Sequence, residues 1–215
     1  AVYGGFDPGI GCLSCAAEVL WLLGYPDQAL TRSREALRLV HELGHPFSLV
    51  YALSFATWLH LYRGEGRVAQ EQAEALIALA GEHGFALYRA QGTIQQGEAL
   101  IAQGQWEEGV TQARQGLEAF VGELMRPHHL AMLAEGYGGA GQVEEGLAAV
   151  AEALRLVDKN DERLYEAEVY RIKGELLLSQ KIKNQKSKAK SQKSETPNTQ
   201  HLTPNTQEEA EACFL

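Results

Sequence analysis

Four segments of this chain repeat one pattern: GYPDQALTRSREALRLV from Gly24, GEGRVAQEQAEALIALA from Gly64, GQWEEGVTQARQGLEAF from Gly104 and GQVEEGLAAVAEALRLV from Gly141. Their leading glycines lie 40, 40 and 37 residues apart. A period of that length marks stacked supersecondary units, none of which buries its apolar face without a neighbour. Five residues after each glycine stands a small residue: Ala29, Ala69, Gly109 and Gly146. Seven before it stand Ala17, Thr57, Gly97 and Ala134. Large apolar residues recur between these at helical spacing. The unit is therefore a helical hairpin: helix A, a turn at the glycine, helix B. Small residues belong where two helix backbones approach closely, and the glycine supplies the left-handed conformation that ends helix A.

The period predicts helices near 8–23, 26–43, 46–63, 66–83, 86–103, 106–121, 127–140, 143–158 and 162–180. Asp7-Pro8 reads as an N-cap followed by proline at the first helical position, and Pro26, Pro46 and Pro127 also fall at helix starts. Residues 163–180 form a fifth helix A, with Gly174 at the small position. A Lys-, Ser-, Thr-, Asn- and Gln-rich stretch follows, with TPNTQ present twice. Its low apolar content predicts disorder. QEEAEACFL then resumes the helix B pattern, Ala210 taking the place of Gly146. The expected organisation is a repeat domain over 1–180, a disordered insert over 181–206 and the start of a final helix B over 207–215. A long flexible insert in a turn costs little, because closure entropy grows only with the logarithm of length.

The small residue early in helix B and the small–Leu pair seven residues later, as in Ala29, Ala36 and Leu37, resemble the tetratricopeptide repeat (TPR) family. The same match recurs at Gly109, Gly116 and Leu117 and at Gly146, Ala153 and Leu154. The second repeat departs, with Leu76 where a small residue is expected, which suggests a register shifted by one. The extra residues beyond the family's usual thirty-four fall at HELGHPF and EHGFAL. The resemblance covers about residues 8–180. It implies an all-α fold, a right-handed superhelical array of antiparallel hairpins with about four full repeats and a partial fifth. More narrowly, YGGFDPG, WLLGYPDQAL, HPFSL and YRIKGELLL resemble the repeat-rich C-terminal part of large bacterial signalling ATPases, in which repeats follow a nucleotide-binding domain.

With 45 % hydrophobic residues the 215-residue chain can bury one extended core, and alternating β-branched runs are absent. The residues read as neither a signal peptide nor an apolar run of membrane-spanning length, so neither is expected. The start at Ala1 and the stop at Leu215 in mid-pattern carry the expectation of a longer polypeptide. Three cysteines imply no disulfide framework and fit a reducing cytoplasm. The net charge of −9 combines −11 over residues 1–180 (13 basic, 24 acidic) with +2 over 181–215 (six Lys, four acids). An acidic body argues against nucleic-acid binding through the repeats. The six lysines of Lys181–Lys193 read as a charged linker.

Four stretches mimic catalytic motifs. His41-Glu42-Leu43-Gly44-His45 satisfies HExxH, but zinc chemistry needs both histidines on one continuing helix, and Gly44 with Pro46 breaks it. Cys12-Leu13-Ser14-Cys15 satisfies CxxC without a preceding strand or a second ligand pair; both cysteines read as small apolar helix residues. Gly136–Gly141 satisfies GxGxxG, yet follows a helix where a dinucleotide site needs a strand. His128-His129 points two side chains about 100° apart, a poor chelate. With no coherent catalytic set, no metal and no cofactor are expected.

In TPR-like arrays the A helices line the inner surface, and the resemblance carries recognition positions onto Tyr51, Ser54, Trp58, Leu61 and Tyr62 in the second repeat. It also gives Gln91, Ile94, Glu98 and Ile101 in the third, His128 and Glu135 in the fourth, Ser14 and Trp21 in the first, and Glu168, Arg171 and Glu175 in the fifth. Tyr51, Trp58 and Tyr62 share one helical stripe; an aromatic hairpin core is the first reading of it, and a surface gripping a peptide is the alternative. Glu98, Glu135 and Glu175 would favour basic or amide groups. The expected function is a non-catalytic interaction and regulatory scaffold that takes a peptide or partner domain, such as an upstream ATPase domain of the same polypeptide. The alternatives are a small-ligand sensor and self-association as a homodimer through residues 160–215; neither a membrane nor a nucleic acid is an expected partner.

Overall fold

The structure, a computed structural model, describes residues 5–123 and 125–192, with side chains to residue 185. The described residues form nine helices: α1 (Pro8–Leu22), α2 (Pro26–Leu43), α3 (Pro46–Tyr62), α4 (Gly66–Glu82), α5 (Ala86–Ala102), α6 (Trp106–Ala119), α7 (Arg126–Gly139), α8 (Val143–Asn160) and α9 (Glu166–Gln192). They divide into two compact units, Ala1–Val121 and Gly122–Leu215. In the first, α1–α2, α3–α4 and α5–α6 are hairpins, α2 packs on α3 and α4 on α5, and the A helices α1, α3 and α5 lie side by side. In the second, α7–α8 is a hairpin and α9 packs on both of its helices. No described helix is long and apolar enough to cross a membrane.

Local chemistry sets these boundaries. The Asp7 carboxylate accepts the Gly9 and Ile10 amides at 2.8 and 3.3 Å, and Pro8 opens α1. The Asp7 amide donates to Ser48 Oγ at 2.9 Å, which ties the start of α1 to the start of α3. All four hairpin turns use one device. Gly24, Gly64, Gly104 and Gly141 have φ of 83°, 71°, 77° and 75°. In each, the amide after the glycine reaches back five residues and the glycine amide three: Tyr25 to Leu20 and Gly24 to Trp21, then Glu65 to His60, Gln105 to Leu100 and Gln142 to Tyr137 with their glycine partners. This Schellman pattern satisfies the carbonyls that the ending helix orphans. Turns between hairpins vary: Gly44 and Gly84 are left-handed, but so is Asp161 after α8.

The small positions meet as the repeat requires. A Cβ on Gly97 would lie 2.4 Å from the Ala113 nitrogen and 2.6 Å from the Gly109 oxygen, and one on Gly116 would lie 2.6 Å from the Ile94 nitrogen. In the first hairpin Ala17 and Ala29 fill the equivalent contact with Leu59. The register shift expected at Leu76 does not occur. Ala69 and Leu76 are fully buried at the positions of Ala29 and Ala36. The larger side chain is taken up by the next hairpin, where Gly92 leaves room: its Cβ would stand 3.2 Å from Leu76 Cγ.

The boundary expected at residue 180 also moves. α9 runs to Gln192, so residues 181–192, read as the start of a disordered insert, are helical. Lys and Gln make up seven of these twelve residues, both are good helix formers, and no Gly or Pro interrupts the stretch. The rest of the insert and the final helix B segment, 193–215, lie outside the described residues.

Two glycine substitutions separate close packing from backbone conformation. Gly97→Ala drives a methyl into backbone and should destabilise the first unit by ~3 kcal/mol. Gly64→Ala meets nothing within 4 Å and should cost only about 1 kcal/mol for its left-handed φ. Trp21, Trp58 and Trp106 all belong to that unit, so urea unfolding followed by tryptophan fluorescence reads both variants directly.

Candidate interaction surface on the A helices

In the first unit the helix A row carries a continuous aromatic run. The Tyr51 ring stacks on Phe6 at 4.3 Å and 17°, and on Phe55 at 4.7 Å and 28°. Phe55 meets Trp58 edge-on at 5.6 Å. Further along α3, Tyr62 lies parallel to Trp21 of α1 at 6.1 Å. Parallel and edge-on geometries are those the ring quadrupole favours. On the other side of α3, Phe47 packs edge-on against Phe85 and Tyr88. The aromatic stripe is thus both a packing element and a surface: Trp58 is 6 % exposed, whereas Tyr51, Phe55 and Tyr62 are half-buried.

Glu18, Phe55, Trp58, Leu59 and Tyr62 line a narrow crevice between α1 and α3, too small to admit a water molecule. The Tyr51 hydroxyl lies 3.6 Å from Cys15 Sγ. Burial, then this bond, pushes the Tyr51 phenol well above its ordinary range, and the Glu18 carboxylate acts in the same direction.

Other residues expected to line the surface turn inward. Ser54 is 1 % exposed, Gln91 8 % and Glu98 4 %. Gln95, which sequence reasoning missed, is fully buried and donates from Nε2 to the Ser54 carbonyl at 2.9 Å. Ser14, Ile94 and Ile101 are buried too.

The second unit holds a charged cluster. The Arg171 guanidinium bonds Glu168 through Nε at 2.8 Å and through a terminal nitrogen, bonds Glu175 at 2.6 Å, and stands 3.8 Å from Glu135 of α7. Glu135, Arg171 and Glu175, three expected surface residues, are thereby brought together, with Glu168 as the main partner. Burial pushes the Glu135 carboxyl up against the opposing pull of Arg171. The hydrogen bonds to Glu168 raise the Arg171 guanidinium further. His128 is buried at the start of α7 with its ring 4.3 Å from Tyr165.

The motif look-alikes resolve locally. Gly44, at φ 61°, ends α2, and His45 caps α3 by accepting the Ser48 amide at Nδ1, so His41 and His45 sit on different helices. The GxGxxG glycines form the end of α7 and its turn, where Gly138 makes room for Leu176. Cys12 and Cys15 are free and exposed on α1, not packed as small core residues, because their face of α1 points outward.

The sequence signals for the missed residues were present. Phe55 falls four after Tyr51 and three before Trp58, on the same stripe. Glu18 falls three before Trp21. Both lie outside the five family positions counted on each helix.

No protein-family model and no curated protein matches the chain. Solved structures do, two of them crystal structures of one repeat protein. One is a Podosopora anserina kinesin light chain protein with nearly identical TPR-like repeats. It is 16 % identical, with a TM-score of 0.59 over 95 % of this chain and 94 % of that one. A single-substitution variant of the same protein aligns with a TM-score of 0.60 and 16 % identity over 95 % and 93 %. At this identity the similarity establishes the fold: this chain is an all-α, TPR-like helical repeat protein.

The Glu135 environment sets a pH dependence. A carboxyl whose folded pKa is raised binds its proton more tightly when folded, so its contribution to stability falls as pH climbs from the ordinary glutamate range through the raised value. Glu135→Gln removes the cost of the buried charge. Amides of α7 in that variant should exchange more slowly than in the parent at pH 8, and the two should converge near pH 4.5.

Proposed function

We propose that this chain is a non-catalytic interaction module whose helix A face takes a peptide or a partner domain. The half-buried aromatic row of Tyr51, Phe55 and Tyr62 over Trp58 carries this reading. Rigid aromatic side chains offer large contact area at low entropic cost, and such residues dominate binding energetics where they are partly accessible. Helical hairpins stacked with their A helices side by side offer an extended surface of this kind. The fold similarity to a kinesin light chain protein supports a scaffold role. The narrower resemblance to repeat regions of bacterial signalling ATPases supports a regulatory setting, with an upstream ATPase domain as the partner and the cytoplasm as the compartment. In the second unit, Glu135, Arg171 and Glu175 would add polar contacts.

Selection of a random displayed dodecapeptide library against the full chain tests the proposal. Enriched peptides should lose about tenfold or more in affinity for a Tyr51→Ser/Tyr62→Ser variant that keeps its helical circular dichroism. Failure to enrich any peptide sensitive to that pair would overturn the proposal for peptide partners. These two side chains are chosen because truncating the buried Trp58 would cost ~3 kcal/mol or more in stability.

A further inference from the structure

In α5–α6 the side of helix A that meets helix B is defined by Ala90, Ile94, Gly97 and Ile101. A Cβ on Gly116 would lie 2.6 Å from the Ile94 nitrogen and 2.9 Å from the Ala90 oxygen, and one on Gly109 would lie 2.7 Å from Ile101 Cγ1. The equivalent residues of α1, α3 and α7 are all buried or half-buried, from Ile10, Val50 and Pro127 at one end to Trp21, Leu61 and Gly138 at the other. On α9 the same register gives Ala167, Arg171, Gly174 and Leu178. Ala167 is exposed, Leu178 is 42 % exposed, and Ile182, one turn further, is 52 % exposed. Among the described residues α9 packs only on α7 and α8. It therefore presents the side that each of the other A helices covers with its own helix B.

We infer that this stripe of α9 is the docking site of the chain's own last residues, 207–215, which pack on it antiparallel as a short helix B. Register selects them first. EEA at 208–210 repeats EEG at 144–146, so Ala210 takes the place of Gly109 and Phe214 that of Ala113. In α5–α6 Gly109 meets both Gly97 and Ile101, and Ala113 meets Gly97; on α9 the counterparts of Gly97 and Ile101 are Gly174 and Leu178. The place that Phe214 takes is buried in all four hairpins, as Ser33, Ala73, Ala113 and Val150. Docking removes Phe214, Leu178 and Ile182 from water together. Charge selects the same segment. It carries Glu208, Glu209 and Glu211 and no base, whereas α9 carries Lys173, Lys181 and Lys183 against Glu175 in the stretch it would cover. Antiparallel packing brings the first of these acids toward residues 181–183, in the first turn of a helix, where the macrodipole favours them. Reach permits the return. Leu178 stands 14 residues before the end of α9 at Gln192, about 21 Å along the axis. The 17 residues 193–209 span about 23 Å as a flexible chain. Pro197 and Pro204 keep α9 from running on through them. A tether of this length holds the segment at an effective concentration near ~1 mM, which favours it over a second copy in dilute solution.

The test uses the full chain with Cys12→Ser and Cys15→Ser, which leaves Cys213 as the one thiol to carry a nitroxide. Leucine and isoleucine methyl signals are compared by NMR before and after the nitroxide is reduced. Leu178 and Ile182 should lose most of their intensity while the nitroxide is intact. Phe214→Asp in the same labelled chain keeps the tether but removes the apolar contact, and should return most of that intensity. A mixture of isotope-labelled chain without nitroxide and unlabelled chain with it separates the two possible sources of the segment. Broadening absent from the mixture supports docking within one chain. Broadening of equal strength in the mixture would overturn the inference in favour of exchange between copies. No loss at Leu178 and Ile182, or a loss that Phe214→Asp leaves unchanged, would overturn it as well, since the latter reports a tethered tail and no docked one. None of these outcomes touches the reading of Tyr51 and Tyr62, which lie on α3.

Discussion

The small residues that face each other between helix A and helix B, glycines in α5–α6 where backbone meets backbone, are the constraint on which the rest of the structure depends. At Gly97, Gly109 and Gly116 the chains come so near that a methyl group would overlap backbone atoms. Glycine inside a helix sacrifices about 1 kcal/mol relative to alanine, and α5–α6 accepts that three times within the contact. The return is a short interaxial distance, which lets larger side chains reach past the hairpin to its neighbours. Leu76 of α4, settled beside Gly92 of α5, does so. The A helices of the first unit lie side by side, and one stripe of α3 faces α1.

That constraint was legible in the sequence because it repeats. Four glycines at near-constant spacing revealed four Schellman turns, and small residues at fixed offsets from them located the contacts. Where the repeat was imperfect the inference weakened. Leu76 looked like a register slip when it was a size change absorbed by Gly92 one hairpin away, a compensation no local pattern reveals. The end of α9 was misplaced for the opposite reason: lysine-rich composition suggested disorder, but lysine and glutamine favour helix once a packed segment has nucleated it.

The candidate surface was legible only in part. Counting from a turn fixes a residue's position along a helix, but each step rotates the side chain by about 100°. Tyr51 and Tyr62 were thereby placed on an accessible stripe, while Ser54, Gln91 and Glu98 fall on the side that neighbouring helices cover. Phe55 and Glu18 lie on the accessible side between counted positions. Their significance is a property of two helices together: Glu18 comes from α1 and the rings around it from α3, and no spacing within one repeat relates them.

The distribution of charge completes the division of labour between the two kinds of helix in the first unit. Most of its ion pairs are exposed, within α2, α4 and α6, at spacings of three or four residues. Such pairs contribute only ~0.3–0.5 kcal/mol each; they keep the B helices soluble without specifying a partner. On α1 and α3 the surface is aromatic and apolar, and charge is nearly absent.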